Sequence, residues 1–230
     1  MDTITRSSEF WGGVKGEIPI LLGVAPFGML YGALAIKSGL GIIPSQSMSL
    51  IVFAGSAQFI AVQLLGAGAS NLVILLAIFV INLRHALYSA SVAPYIQHLK
   101  PIWKVVLAYL LTDEAYAVAI THFQQDEETP YRHWYLFGTG ITLWSCWQTS
   151  TALGIFIGAR LPTDFPLAFV LPLTFIALVV PVLRERATVA AAISASLAGV
   201  ALAALPYNTG LLLAAALGIL VGMWVEGKKA

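Results

Sequence analysis

The chain has 230 residues, of which 59% are hydrophobic and only 10% charged, and its formal net charge is +1. A water-soluble domain carries about 25% charged residues, so a soluble fold is excluded, and the near-neutral balance gives no reason to expect nucleic acid as a partner. Cys146 is the single cysteine, which excludes an intrachain disulfide and a zinc site built on cysteines.

Residues 1–17 are polar and mixed (Arg6, Glu9, Lys15, Glu17) and lack the apolar core and cleavage site of a signal peptide. They read as a polar cytoplasmic segment, and the first span is itself the insertion signal. A helix crosses ~30 Å of hydrocarbon with ~20 residues. Apolar runs of that length lie near 18–37, 47–66, 70–93, 102–122, 134–158, 166–183, 187–204 and 208–225. The expected fold is therefore an all-α polytopic transmembrane helical bundle of about eight spans, a single integral-membrane domain over 1–230. Seven spans is the alternative, because Gly66 to Asn71 and Pro206-Tyr207-Asn208 read equally as hairpins or as breaks inside the membrane. The run Gln124 to Pro130 marks a hydrophilic loop over 123–133. Lysine and arginine in the short loops divide seven to four in favour of a cytoplasmic N-terminus, and eight spans return the C-terminus to the same side.

The first span carries Pro26-Phe27-Gly28, and a proline inside a helix removes a donor and displaces the carbonyl four residues back. The second carries Gly55-Ser56-Ala57-Gln58 in its middle. Both read as discontinuous helices, tolerable at membrane depth only where protein or a water-filled cavity receives the freed backbone groups. Helix ends of that kind hold a carboxylate at their positive N-terminal side. Pro26, Gly28, Gly55, Ser56 and Gln58 are therefore candidate substrate-binding residues, against an alternative in which the glycines serve close helix packing.

The third span contains Arg84 and His85, and the fourth contains Asp113 and Glu114. A charge at the bilayer centre costs roughly 2.5–3.5 kcal/mol, so these four form a candidate proton-coupling or buried charge network. A fourth span beginning near Pro101 places Asp113 ~17 Å into a ~30 Å core, within reach of an arginine stem from the third. One structural ion pair would use only two of the four. Trp144, Trp147, Gln148 and Thr151 share one face of the fifth span, read mainly as packing. Ala187, Ala191, Ser194 and Ala198 form a small-residue stripe on the seventh. A weak internal echo relates Gly32–Gln63 to Gly154–Arg184. No phosphate loop, metal-ligand cluster, cofactor motif or nucleophile elbow is present in the sequence.

These motifs, taken in order, resemble the AzlC family. The likeness rests on Pro26-Phe27-Gly28, Phe53-Ala54-Gly55-Ser56-Ala57-Gln58-Phe59, Leu83-Arg84-His85-Ala86-Leu87-Tyr88 and Leu111-Thr112-Asp113-Glu114; beyond about residue 150 it is mostly length and hydropathy. Asn82 stands where some members carry an acid. The resemblance implies the large subunit of an exporter of valine, leucine, isoleucine and methionine, driven by the proton motive force. It also implies a bacterial inner-membrane location and a small AzlD-like membrane partner. The residues by themselves leave two other classes open: a membrane-embedded enzyme using His85 with Asp113 or Glu114, and a channel.

Overall fold

The computed structural model describes residues 4–125, 129–160, 183, 185–203 and 209–227. All regular structure among them is helical. The chain divides into two compact units, Met1–Phe165 and Pro166–Ala230.

In the first unit, α1 (Arg6–Lys37) starts at a capping box: the Thr5 hydroxyl accepts from the Ser8 amide at 3.1 Å, and the Ser8 hydroxyl accepts from the Thr5 amide at 2.8 Å. The helix runs unbroken for 32 residues through Pro19 and Pro26. This corrects one expectation: Pro26 does not interrupt the first span, whose helix also takes in most of the polar N-terminal segment.

The reason lies in its partner, α8 (Arg132–Gly158). The two helices run parallel and touch backbone to backbone. A side chain added at Gly13 would meet the Tyr135 carbonyl, at Gly138 the Phe10 carbonyl, at Gly32 the Thr151 carbonyl, and at Gly154 the Met29 carbonyl. Small residues permit this approach, and dispersion over two long surfaces holds it. The contact is reciprocal: Gly32 meets Thr151 and Gly154 meets Met29, with the same 122-residue offset between 29 and 151 and between 32 and 154. The internal echo from Gly32 to Gly154 has that offset. Its distal part, with the sixth expected span (166–183), lies almost wholly outside the described residues.

The next three stretches are each interrupted. Between α2 (Ile42–Val52) and α3 (Gly55–Gly66), Phe53 adopts a left-handed conformation (φ +39°) and Ala54 is extended. Between α4 (Asn71–Asn82) and α5 (Arg84–Ile96) the chain tightens at Leu83, whose amide donates to Val80 at 3.2 Å and whose carbonyl accepts from Ala86 at 3.0 Å. Between α6 (Pro101–Leu110) and α7 (Asp113–Gln125) it opens at Leu111 and Thr112. Val92, Leu107, Leu111, Ala119, Phe123 and Leu136 join α5, α6, α7 and α8 in one apolar core. Residues 6–37 and 71–96 form helices long and apolar enough to cross a membrane. No residue of α4 is buried although its sequence is apolar almost throughout. Such a surface suits hydrocarbon and not water.

The second unit contains α9 (Arg186–Ala201) and α10 (Thr209–Gly227), packed antiparallel. Gly218 lies against Ala191 and Ala195, Gly222 against Ala191, and Gly199 against Ala214. The stripe thus advances by fours through Ala187, Ala191, Ala195 and Gly199. Ser194, expected in the stripe, donates its hydroxyl within its own helix, to the Ala190 carbonyl at 2.8 Å and the Ala191 carbonyl at 3.0 Å. The Pro206–Asn208 break lies outside the described residues.

Candidate functional site

The three irregular points converge: two helix starts, at Ser56 and at Asp113, and the tightened turn at Leu83 that precedes Arg84 within the helical stretch 71–96. Arg84 opens α5, Asp113 opens α7 and Ser56 stands in the first turn of α3. The Arg84 guanidinium donates through Nη1 to Asp113 Oδ2, and through Nη2 to Ser56 Oγ at 2.7 Å. The start of α7 explains its two acids. Thr112 caps α7, its hydroxyl accepting from the Ala115 amide at 3.4 Å, so Asp113 and Glu114 occupy the first turn, where the aligned peptide dipoles favour negative charge. The start of α3 has no side-chain cap, and Ser56 in its first turn uses its hydroxyl to accept from Arg84.

The pair is half-buried, with side-chain exposures of 30% for Arg84 and 38% for Asp113. It is also incompletely used. Arg84 Nε, Asp113 Oδ1 and Asn82 Oδ1 are all buried and make no hydrogen bond of normal geometry. One further donor on the cation and one further acceptor on the anion therefore remain at the pair itself. Tyr88 lies beside Asp113, stacked on Tyr116 at 4.6 Å between ring centroids.

The other expected site residues fall into separate positions. His85 points away from the pair, with Nδ1 3.2 Å from the Asn82 carbonyl and its ring edge-on to Tyr88. Glu114 faces α1, about 100° around the helix from Asp113. Gln58 is fully buried beside Tyr31, with neither amide atom in a hydrogen bond of normal geometry. Gly55 lies under aromatic rings: a side chain there would come within 3.0 Å of Trp147 and 3.3 Å of Phe27. Gly28 packs on Ser150 and Trp147 within the α1–α8 seam, and Pro26 is exposed on the other side of the same unbroken helix, so neither sits at a helix end. The Trp147 face of α8 is built into packing. Trp147 stacks on Tyr31, Gln148 donates to the Ser49 carbonyl at 3.1 Å, and Thr151 and Ser49 share a hydrogen bond at 3.3 Å.

Two acids were not anticipated as buried. Glu9 is 7% exposed and pairs with His122 at 3.0 Å; Glu17 is completely buried with neither carboxylate oxygen hydrogen-bonded. The spacing of Glu9, Gly13 and Glu17 is the signal that could have found them, since acids four residues to either side of a glycine fall on one side of a helix.

A cavity of about 250 Å³ opens between α5, α6 and α8, lined mainly by Val92, Ile96, Leu107, Leu111 and Leu136 with Ser89 at its edge. Ser89 is five residues beyond Arg84, about 7.5 Å along the helix, and Leu111 is two residues before Asp113. Among the described residues no group of three or more metal-ligating side chains occurs.

The model of the family described as "AzlC protein" matches residues 19–161. The inner membrane protein YgaZ of Escherichia coli (strain K12) is 30% identical over 208 residues, covering 87% of this chain and 84% of its own. An uncharacterized membrane protein of Archaeoglobus fulgidus is 30% identical over 232 residues, 97% of this chain and 99% of its own. One from Helicobacter pylori (strain 26695) is 29% identical over 176 residues, 74% and 75% respectively. No solved structure matches. The matched segment contains all three interruptions and the charged residues that meet at them, and the chain belongs to the AzlC family of membrane proteins.

Proposed function

We propose that this chain is the large subunit of a transporter that exports amino acids with branched aliphatic side chains, namely valine, leucine, isoleucine and methionine as the unbranched extension of that set. The observation that carries the reading is the unused bonding capacity at the Arg84–Asp113 pair. A zwitterionic amino acid offers a carboxylate to Arg84 Nε and an ammonium to Asp113 Oδ1, so the pair is complementary to both ends of one substrate. The apolar cavity beside Leu111 has the volume and lining for one aliphatic side chain. A half-open pair at three helix interruptions also fits a carrier that must exchange partners during its cycle. The enzyme reading has less support, because His85 Nδ1 lies at the Asn82 carbonyl that ends α4 and no hydrogen bond or ion pair joins His85 to Asp113 among the described residues.

The driving force in this reading is the proton gradient, taken up by the carboxylates of α7, Asp113 ahead of Glu114, with His85 third. The setting is the bacterial inner membrane with both termini cytoplasmic, and a small AzlD-like subunit completes the transporter. The test uses inverted vesicles carrying the chain and its partner, given labelled leucine on the outside under an imposed interior-acid gradient. Accumulation should be blocked by unlabelled valine and isoleucine. It should resist the same carbon skeleton lacking its carboxylate or lacking its ammonium. Equal competition by those two analogues would remove the zwitterion site, and absence of accumulation would remove the function.

A further inference from the structure

Helices α1 and α7 run antiparallel through the first unit. Glu9 meets His122 at 3.0 Å near one end, and Gly16 lies against Val118 further along. That register sets Glu17 of α1 opposite Glu114, one turn before Val118 on α7. Glu17 is completely buried, and neither of its oxygens has a hydrogen-bond partner among the described residues. The titratable groups around it are Glu114 on α7 and, through the Gly16 position, the Tyr135 hydroxyl on α8; no basic side chain forms a salt bridge with it among the described residues. An isolated charge in such a place costs several kcal/mol, and two facing carboxylates cannot both be ionised cheaply.

A cleft of about 390 Å³ follows the same face of α7. It is lined by Ala117, Val118, Thr121, His122 and Tyr135, so it reaches from one turn past Glu114 to the His122–Glu9 pair. Its polar groups are two hydroxyls and an imidazole stacked on Tyr135 at 3.7 Å.

We propose that Glu17 and Glu114 form one proton-binding site buried between α1 and α7, connected to water through the cleft that ends at the His122–Glu9 pair. Asp113 and Glu114 are consecutive in the first turn of α7 and point about 100° apart, one to Arg84 and the other to α1. A displacement of that turn by substrate at Arg84–Asp113 therefore changes the spacing of the two glutamates. As the coupling site of the carrier, with Glu114 and Glu17 taking the proton in place of Asp113, the proposal rests on the transport reading above; as a protonated buried carboxyl it does not.

Dicyclohexylcarbodiimide separates the two. It adds the O–H of a protonated carboxyl in an apolar site across its C=N bond, and the O-acylisourea rearranges to a stable N-acylurea of the same mass. Trypsin releases Gly16–Lys37, in which Glu17 is the only acidic side chain. The purified protein should give the adduct on that peptide at neutral pH, with labelling lost as the solution is made alkaline and lost at lower pH in Glu114→Gln. An unmodified peptide across that range overturns the proton site. In inverted vesicles Glu17→Gln should still exchange labelled leucine at equal concentrations while losing gradient-driven accumulation. Full accumulation by Glu17→Gln overturns the coupling role. Failure of the wild-type vesicles to accumulate leucine, with the adduct present, overturns the transport reading and leaves the proton site standing.

Discussion

Helix α1 carries two prolines and runs unbroken, whereas the stretch 101–125 has neither proline nor glycine after Pro101 and breaks at Leu111–Thr112. Local breaking tendency alone would have placed the interruption in the other helix. The difference is what each one packs against. α1 is clamped along its length to α8 by backbone contact at glycines, so a bend at Pro26 would open that seam. The 101–125 stretch must instead present Asp113 to Arg84 and Glu114 to α1. A new helix start at Thr112 supplies a cap and a favourable dipole for both acids. Packing decides continuity in one helix, and charge decides it in the other.

The strongest way to break this comparison is to deny α1 its clamp. Gly154→Leu puts a side chain onto the Met29 carbonyl, where two helix backbones would have to separate. We expect a loss of about 3 kcal/mol, the upper part of the overpacking range, seen as loss of monodisperse protein after detergent extraction. Gly227→Leu is the control, because no atom lies within 4 Å of a side chain built there. Equal yields from the two variants would show that the seam does not hold α1 straight.

The charge side is tested by Arg84→Ala, which leaves Asp113 beside Ser56 without its cation. Because both partners are about a third exposed, the expected cost is about 1–2 kcal/mol, below the ~3–5 kcal/mol of a fully buried pair. Leucine transport should be lost. Arg84→Ala with Asp113→Ala should regain yield but not transport, and exchanging the two residues should restore insertion better than either single change. Wild-type yield and transport in Arg84→Ala would make the pair incidental.

Part of this was legible in the sequence because it depended on composition and on single residues: the all-helical, apolar character, the break near Gly55, and the reach of Arg84 to Asp113; the hydrophilic loop expected over 123–133 is narrower than that, since α7 runs to Gln125 and α8 begins at Arg132. The break before Asp113 was also written there, as a threonine followed by two acids, which is a helix N-terminus signature. It was masked by the apolar run around it, which reads as one span. The continuity of α1 could not be read, because it depends on Gly138 and Gly154, more than a hundred residues away. The burial of Glu9 and Glu17 was hidden in the same way: within a polar segment, only the presence of α7 and α8 tells an acid facing protein from one facing water.

The smallest expected effect sharpens the comparison from the other side. Pro26 has no amide hydrogen, so the Leu22 carbonyl loses its usual helical donor, and Leu22 itself is 83% exposed. If α1 is straight throughout the working cycle, Pro26→Ala restores that bond and stabilises the protein by about 1 kcal/mol, a fraction of the ~3 kcal/mol that separates the two residues in a free helix interior. A thermal midpoint a few degrees higher, with leucine exchange unchanged, is the expected pair of readings. A higher midpoint together with slower exchange would mean that α1 bends at Pro26 in another conformation. The proline would then be retained for that bend, and Pro26 and Gly28 would rejoin the substrate path from which the unbroken helix removes them.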